Sequence, residues 1–218
     1  MSGIIEPAQL TAGHIRESLS GTQMPADPLA VAMPPRSQEW PDDLRRIMCE
    51  DLKPAGVLIP ILDYADGLMV LLTQRSPDLK THAGQVSFPG GSMETVDADI
   101  RATALRETHE EVGIRPDQVD IAGFLNPMLT VTGFAVTPVV GLVPADVSLT
   151  LDKSEVQHAF EVPLSFLLDE SNQELSEREL HGVTVPIVEF NYAEQRIWGA
   201  TANILIEFRK LLFKNIKL

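Results

Sequence analysis

Apolar residues along this chain come in short runs broken by turn residues. The clearest are residues 55–62, AGVLIPIL, and 67–75, GLMVLLTQR, on either side of a turn marked by Asp66 and Gly67. Two runs of this length, rich in branched side chains and joined by an Asp-Gly signal, predict a β-hairpin. Residues 119–125, 137–143 and 183–190 predict further strands, and 200–212 a closing helix. Ahead of residue 55 the text changes. A helix over 9–19 precedes the proline-rich stretch MPADPLAVAMPPRSQEWP, so residues 1–54 read as an N-terminal extension packed on a main domain of residues 55–218. Strands interleaved with few helices, and no internal repeat, predict an α/β fold with a mixed β-sheet between helices.

Residues 104–113, ALRETHEEVG, crowd Glu107, Glu110 and Glu111 together. Residues three and four apart share a helix face, so the three carboxylates project together and repel one another. Ala102, Leu105 and Val112 fall on the opposite side, which is expected to press into a core and leave the acidic side facing out or into a cleft. Gly113, with Pro116 soon after, is expected to stop this helix, and Asp97 or Asp99 to cap its start. Solvated glutamates on an exposed helix would explain the charge pattern equally well. The text upstream, GQVSFPGGS, tips the balance: a strand-like segment (86–88) runs through Pro89 and a glycine pair into the acidic helix. A hard divalent cation such as Mg²⁺ is held by a few carboxylates together with waters and substrate phosphates, and would offset the repulsion. Gly90 and Gly91 then read as a place where backbone closely approaches a phosphate or a metal-bound water, rather than as a turn alone.

Composition narrows the class. At 218 residues and 44% hydrophobic content the chain suits one well-packed domain with an appendage. Its formal net charge of −14 argues against nucleic acid or an anionic membrane surface as the main partner, and makes a cation necessary for any phosphate-bearing substrate. The single cysteine, Cys49, has no internal partner for a disulfide and reads as a small buried or half-buried side chain in a reducing, cytoplasmic setting. Runs such as VLIPIL and LMVLL are strand-sized, the start MSGIIEPAQL lacks the layout of a signal peptide, and the final IKL departs from the peroxisomal tripeptide at its first position. The five histidines, His14, His82, His109, His158 and His181, show no paired ligand spacing and are expected at the surface or in supporting roles. Phe88 and Trp198 are expected in the core, with stacking on an adenine as the alternative. A homodimer is left open.

The segment from Gly91 through RETHEEVGI resembles the Nudix box, G-x5-E-x7-R-E-U-x-E-E-x-G-U, where U is aliphatic. Arg106, Glu107, Glu110, Glu111, Gly113 and Ile114 match; Thr108 replaces an aliphatic residue, Asp97 stands in the place of the first glutamate, and one extra residue separates it from Arg106. Residues 72–91, LTQRSPDLKTHAGQVSFPGG, resemble more narrowly the signature of the coenzyme A pyrophosphatase branch of Nudix hydrolases, through Thr73, Arg75, Ser76, Lys80, Gly84 and Phe88–Gly91, with Lys80 where arginine is usual. That branch also carries the longer spacing. Residues 155–168 and 197–205 agree more weakly.

This resemblance implies an α/β/α sandwich and metal-dependent hydrolysis of a diphosphate bond in a nucleoside diphosphate derivative, most specifically coenzyme A or acyl-CoA. The implied ligands for Mg²⁺ or Mn²⁺ are Glu107, Glu110 and Glu111, with Glu110 as the choice of general base and Arg106 in a structural ion pair. Arg75 and Lys80 are the implied phosphate binders, including the 3′-phosphate if the substrate is coenzyme A, His82 a further contact, and Gly90 and Gly91 the backbone of the substrate site. The rivals are a Nudix hydrolase for ADP-ribose or a dinucleotide, and a non-catalytic nucleotide-binding module.

Overall fold

The computed structural model describes residues 7–33, 51–180 and 183–214. Cys49, His181 and residues 34–41 of the proline-rich stretch lie outside them. Strands β1 (Lys53–Tyr64) and β2 (Gly67–Arg75) form the expected hairpin, with Tyr64 opposite Gly67. They are followed by β3 (Val86–Ser87), β4 (Gly90–Ser92), β5 (Asp120–Phe124), β6 (Met128–Leu129), β7 (Phe134–Pro144) and β8 (Val156–Pro163). These make one eight-stranded mixed sheet in the order β3-β2-β1-β7-β5, with β4 on β1, β6 on β7 and β8 on β2. β1 and β7 run parallel, Gly56 opposite Thr137. A strand paired in this way is covered on both faces, so β1 and β7 read as nearly continuous apolar runs instead of alternating ones.

One face of the sheet, through Ile59, Ile61, Val70, Leu72 and Val140, joins the main core with helices α1 (Ala12–Leu19), α4 (Leu164–Leu168) and α5 (Gly199–Phe213). The other, through Leu58, Leu62, Leu71 and Val139, meets helix α3 (Ile100–Val112). This is the expected mixed sheet between helices. Helix α2 (Pro28–Ala32) is a short turn within the proline-rich stretch, capped by Asp27. Helix α1 starts at a Thr11 cap reciprocated by His14, later than the expected residue 9, because Pro7–Gln9 forms a separate 3-10 turn. It buries Ile15 and Leu19 completely against α5 and β5, each worth about 1.5–3 kcal/mol of apolar burial. β1 begins at Lys53, so the sheet takes in the last two residues expected to belong to the extension.

A second sheet, β9 (Glu174–Leu180), β10 (Val183–Tyr192) and β11 (Gln195–Trp198), is antiparallel. Only β10 is legible as a strand, since β9 reads ELSEREL and has no apolar run. Among the described residues, no helix is long and apolar enough to cross a membrane.

Candidate active site

Helix α3 is held at both ends as the sequence leads one to expect. Of the two possible caps it is Asp99 that accepts from the Ala102 N–H (2.8 Å), and Gly113 closes the helix in the left-handed conformation at φ 82°. The faces differ from expectation. The side toward the sheet is Ile100, Thr103, Ala104, Thr108, Glu111 and Val112, while Ala102 and Leu105 are only half-buried. The acidic side is therefore split: Glu111 is 3% exposed, Glu107 15% and Glu110 57%. A helix laid over β1 and β4 has one stripe at the seam, and Glu107 and Glu111, four apart, share it; Glu110 stands on the outer flank.

Two glycines make room for that seam. Gly90 has φ 147°, and a Cβ there would meet the Gly56 carbonyl oxygen at 2.4 Å; its N–H donates to Glu111 Oε2 at 3.2 Å. A Cβ on Gly91 would fall 2.6 Å from the Glu107 carboxyl carbon. The expected approach is to a phosphate or a metal-bound water; the approach the structure shows is to the carboxylates of Glu111 and Glu107.

Arg106 ties the outer parts together. Its Nε and Nη2 donate to the two oxygens of Asp97 at 2.9 Å each, its Nη1 to Glu107 and Glu110 at 2.9 Å each, and its Nη2 to the Ser92 carbonyl at 3.2 Å. Asp97 also accepts from Thr103 Oγ1 and the Glu94 N–H. The Arg106 hydrogen bonds hold the Asp97 carboxyl down at about 2 despite its burial, and Asp97 in turn raises Arg106. Asp97, at the position of the first glutamate of the box, is therefore the anchor of Arg106, while Asp99 is the cap.

The inner carboxylate is under the opposite pressure. Burial pushes Glu111 up to about 8, against the Gly90 N–H and the Arg75 guanidinium and with the help of Glu107 and Glu155. Burial likewise raises Glu107, against Arg106. Arg75, at the end of β2, has Nη1 3.9 Å from Glu111 Oε1, and its buried Nε has no hydrogen-bond partner. Glu155 begins the weakly agreeing stretch 155–168 and is not among the expected site residues. The segment ahead of β8 is bonded onto the last turn of α3, Thr150 N–H to Val112 O and Asp152 N–H to Glu111 O, and Ser76 N–H donates to Glu155 O. This brings a fourth charge to Glu107 and Glu111. The only sequence signal was its place at the start of EVQHAFEVP.

Other expected site residues stand further out. Lys80 and His82 lie on the exposed loop between β2 and β3, where His82 (φ 57°) bonds Gln85 Oε1 at 2.9 Å. His14 completes the α1 cap, and His158 lies beside Gln195 and Phe160. Phe88 is buried in the core as expected, whereas Trp198 is half-buried. A cavity of about 740 Å³ opens at the C-terminal end of α3 beside His109, Glu110 and Asp152, on the outer flank of the helix.

Among the described residues, no three acidic, imidazole or thiol groups are already drawn into a coordination cluster. The donor set nevertheless fits a hard divalent cation. Glu111, buried and raised by desolvation, and Glu107, resting on the bare backbone of Gly91, supply the oxygens such a cation takes, while the unpartnered Arg75 Nε–H suits an anionic oxygen of a substrate.

Residues 52–206 match the model of the NUDIX domain. The chain belongs to the Nudix family. A Klebsiella pneumoniae subsp. pneumoniae protein named an uncharacterized Nudix hydrolase NudL is 44% identical over 154 residues, covering 70% of this chain and 79% of that one. An Enterobacter sp. protein of the same name is 42% identical over 168 residues, 75% and 86% of the two chains. Among solved structures, a MutT/nudix family protein from Enterococcus faecalis overlaps 72% of this chain and 61% of its own, at 18% identity and a TM-score of 0.48. The chain is thus a Nudix hydrolase, of the family of enzymes that split a diphosphate bond in nucleoside diphosphate derivatives and generally use divalent cations such as Mg²⁺ or Mn²⁺.

Proposed function

We propose that this Nudix hydrolase cleaves the diphosphate of coenzyme A or an acyl-CoA with water, giving 3′,5′-ADP and the 4′-phosphopantetheine portion. The observation that carries the reading is that both ends of the 72–91 signature converge on Glu111. Arg75 reaches it at 3.9 Å from one end, and the Gly90 N–H at 3.2 Å from the other. The two ends are bonded to each other through Thr73 Oγ1 and the Ser87 carbonyl at 3.2 Å.

Glu107, Glu111 and Glu110 are the residues to hold Mg²⁺ or Mn²⁺, with Glu155 near enough to act on the same charge. The chemistry a divalent cation would supply there is neutralisation of diphosphate oxygens and a lowered pKa for a coordinated water. The chain's own residues do the rest. Arg106, anchored on Asp97, keeps Glu107 and Glu110 in fixed rotamers. The buried Glu111 carboxyl, raised by burial, would give up its proton to take the cation, because a ligating carboxylate must be ionised. Glu110, on the open flank, remains the choice of general base. Arg75 offers the diphosphate the donors it does not spend on Glu111, and Lys80 and His82 face the solvent side of the same signature loop. The single cysteine, which has no internal partner for a disulfide, supports a reducing, cytoplasmic setting.

The test is a panel of coenzyme A, acyl-CoA, ADP-ribose and dinucleotides incubated with Mg²⁺ or Mn²⁺, the products separated by chromatography. Preferred release of 3′,5′-ADP from coenzyme A, abolished by chelation and restored by metal, supports the reading. Preference for ADP-ribose or a dinucleotide overturns the substrate, and binding without turnover of any compound overturns the enzyme.

A further inference from the structure

The three-stranded sheet carries a cation that the catalytic constellation does not use. Ile197 enters the same core as Val86, and β11 lies against β3. Successive strand residues point to opposite faces, so Trp198 is turned the other way. The strand that β11 touches, β3, carries Ser87, whose hydroxyl meets that of Thr73 at 3.3 Å, two residues from Arg75 and its contact with Glu111. Trp198 is opposite Glu189, and Glu189 is opposite Glu174 on β9; Arg178, four residues on, shares this face.

The guanidinium carbon of Arg178 sits 4.3 Å from the centre of the Trp198 ring, and that of Arg196 at 5.4 Å. The two arginines differ in what else they touch. Arg196 is spent on Glu189, with Nε at 2.8 Å from Oε2 and Nη2 on the same oxygen. Ser176 takes the other bond to that carboxylate and Asn191 takes Glu174. Among the described residues, Arg178 has neither a carboxylate nor a hydrogen-bond partner, in a chain of net charge −14. A guanidinium held over an indole by cation–π attraction spends none of its N–H donors there, and that planar fork can grip a phosphate through two bonds.

We infer that Arg178, backed by Trp198, binds the phosphate on the substrate's ribose and so selects a nucleoside end that carries an extra phosphate. The inference rests on the coenzyme A reading. A ribose separates that phosphate from the diphosphate, so the cation that reads it must stand apart from the carboxylate helix. Arg75 is committed beside Glu111, whereas Arg178 rests on Trp198 of β11, the strand that touches β3.

Calorimetric titration of the full chain with adenosine 3′,5′-bisphosphate and with adenosine 5′-monophosphate tests this without turnover. The wild type is expected to prefer the bisphosphate by about tenfold or more. Arg178→Ala should bring that preference close to one, Arg178→Lys should keep part of it, and the bisphosphate should perturb Trp198 fluorescence only while Arg178 is present. The ratio of kcat/KM for coenzyme A over dephospho-coenzyme A should shrink in parallel. No preference in the wild type, or a preference that survives Arg178→Ala and is lost in Lys80→Ala, overturns the assignment. Because the binding arm needs no catalysis, a bisphosphate preference lost with Arg178 in a chain that does not cleave coenzyme A would sink the substrate reading and leave the site standing.

Discussion

Gly91 passes so close to Glu107 that a Cβ on the glycine would lie 2.6 Å from the glutamate's carboxyl carbon and 2.6 Å from one of its oxygens. The carboxylate rests on bare backbone, and the space a side chain would fill is the space in which it is aimed. Gly91→Ala should therefore displace Glu107 without unfolding the protein. Activity at low metal is expected to fall by roughly 10–100-fold, with a higher Mn²⁺ concentration needed for half-activation and little change in Tm. Unchanged metal activation would show that Glu107 has no part in holding the cation.

Asp97 and Arg106 form a two-point ion pair in which the aspartate side chain is 3% exposed. Asp97→Asn leaves the guanidinium half-satisfied and is expected to cost about 1–3 kcal/mol at neutral pH, measured by urea unfolding. The pH dependence has a definite sign. A depressed carboxyl contributes stability above its unfolded value near 4 and loses it as the pH falls through about 2. The difference between wild type and variant should accordingly narrow from pH 5 to pH 2, and a constant difference would mean that the pair is not the source.

Glu111 behaves in the reverse sense because burial raises it to about 8. In chelator the folded state holds this proton more tightly than the unfolded chain does, so its contribution is complete below about pH 4.3 and drains away as the pH rises through about 8. Glu111→Gln should remove that slope and leave the metal-free protein as stable or more stable than wild type at pH 8. The same change should cut turnover by orders of magnitude, since an amide is a poor ligand for a hard cation. Denaturant unfolding in chelator from pH 5 to 9, beside activity in Mg²⁺, measures both. Near-normal activity in a folded Glu111→Gln protein would remove it from the metal site.

Gly56 is where β1 passes beneath α3, and a Cβ there would lie 2.5 Å from the Ile100 carbonyl oxygen. Backbone cannot swing aside as a side chain can. Gly56→Ala is expected to cost about 1–3 kcal/mol, lowering Tm by roughly 2–4 °C per kcal/mol, and to loosen metal binding because the helix carrying Glu107 and Glu111 must lift. A Tm equal to wild type would contradict this packing.

The hairpin of β1 and β2, helix α3 with its Gly113 stop, and the closing helix α5 were legible because local rules decide them: apolar runs, a turn signal and a capping residue act over a few positions. The acidic motif and the 72–91 signature were legible for the same reason, being contiguous. β9 and β8 were not, since ELSEREL and VQHAFEVP become strands only through the ladders offered by β10 and β2. Sequence alone also determined that Glu107, Glu110 and Glu111 share one helix. Only the tertiary structure decided that they do not share one environment, because the sheet beneath α3 buries Glu111, leaves Glu110 in solvent and brings Glu155 from a distant loop. Helical spacing fixes which side chains are neighbours, but the desolvation that gives each carboxylate its character comes from whatever is packed against the helix, and that is set by residues elsewhere in the chain, among them Gly90, Gly91 and Glu155.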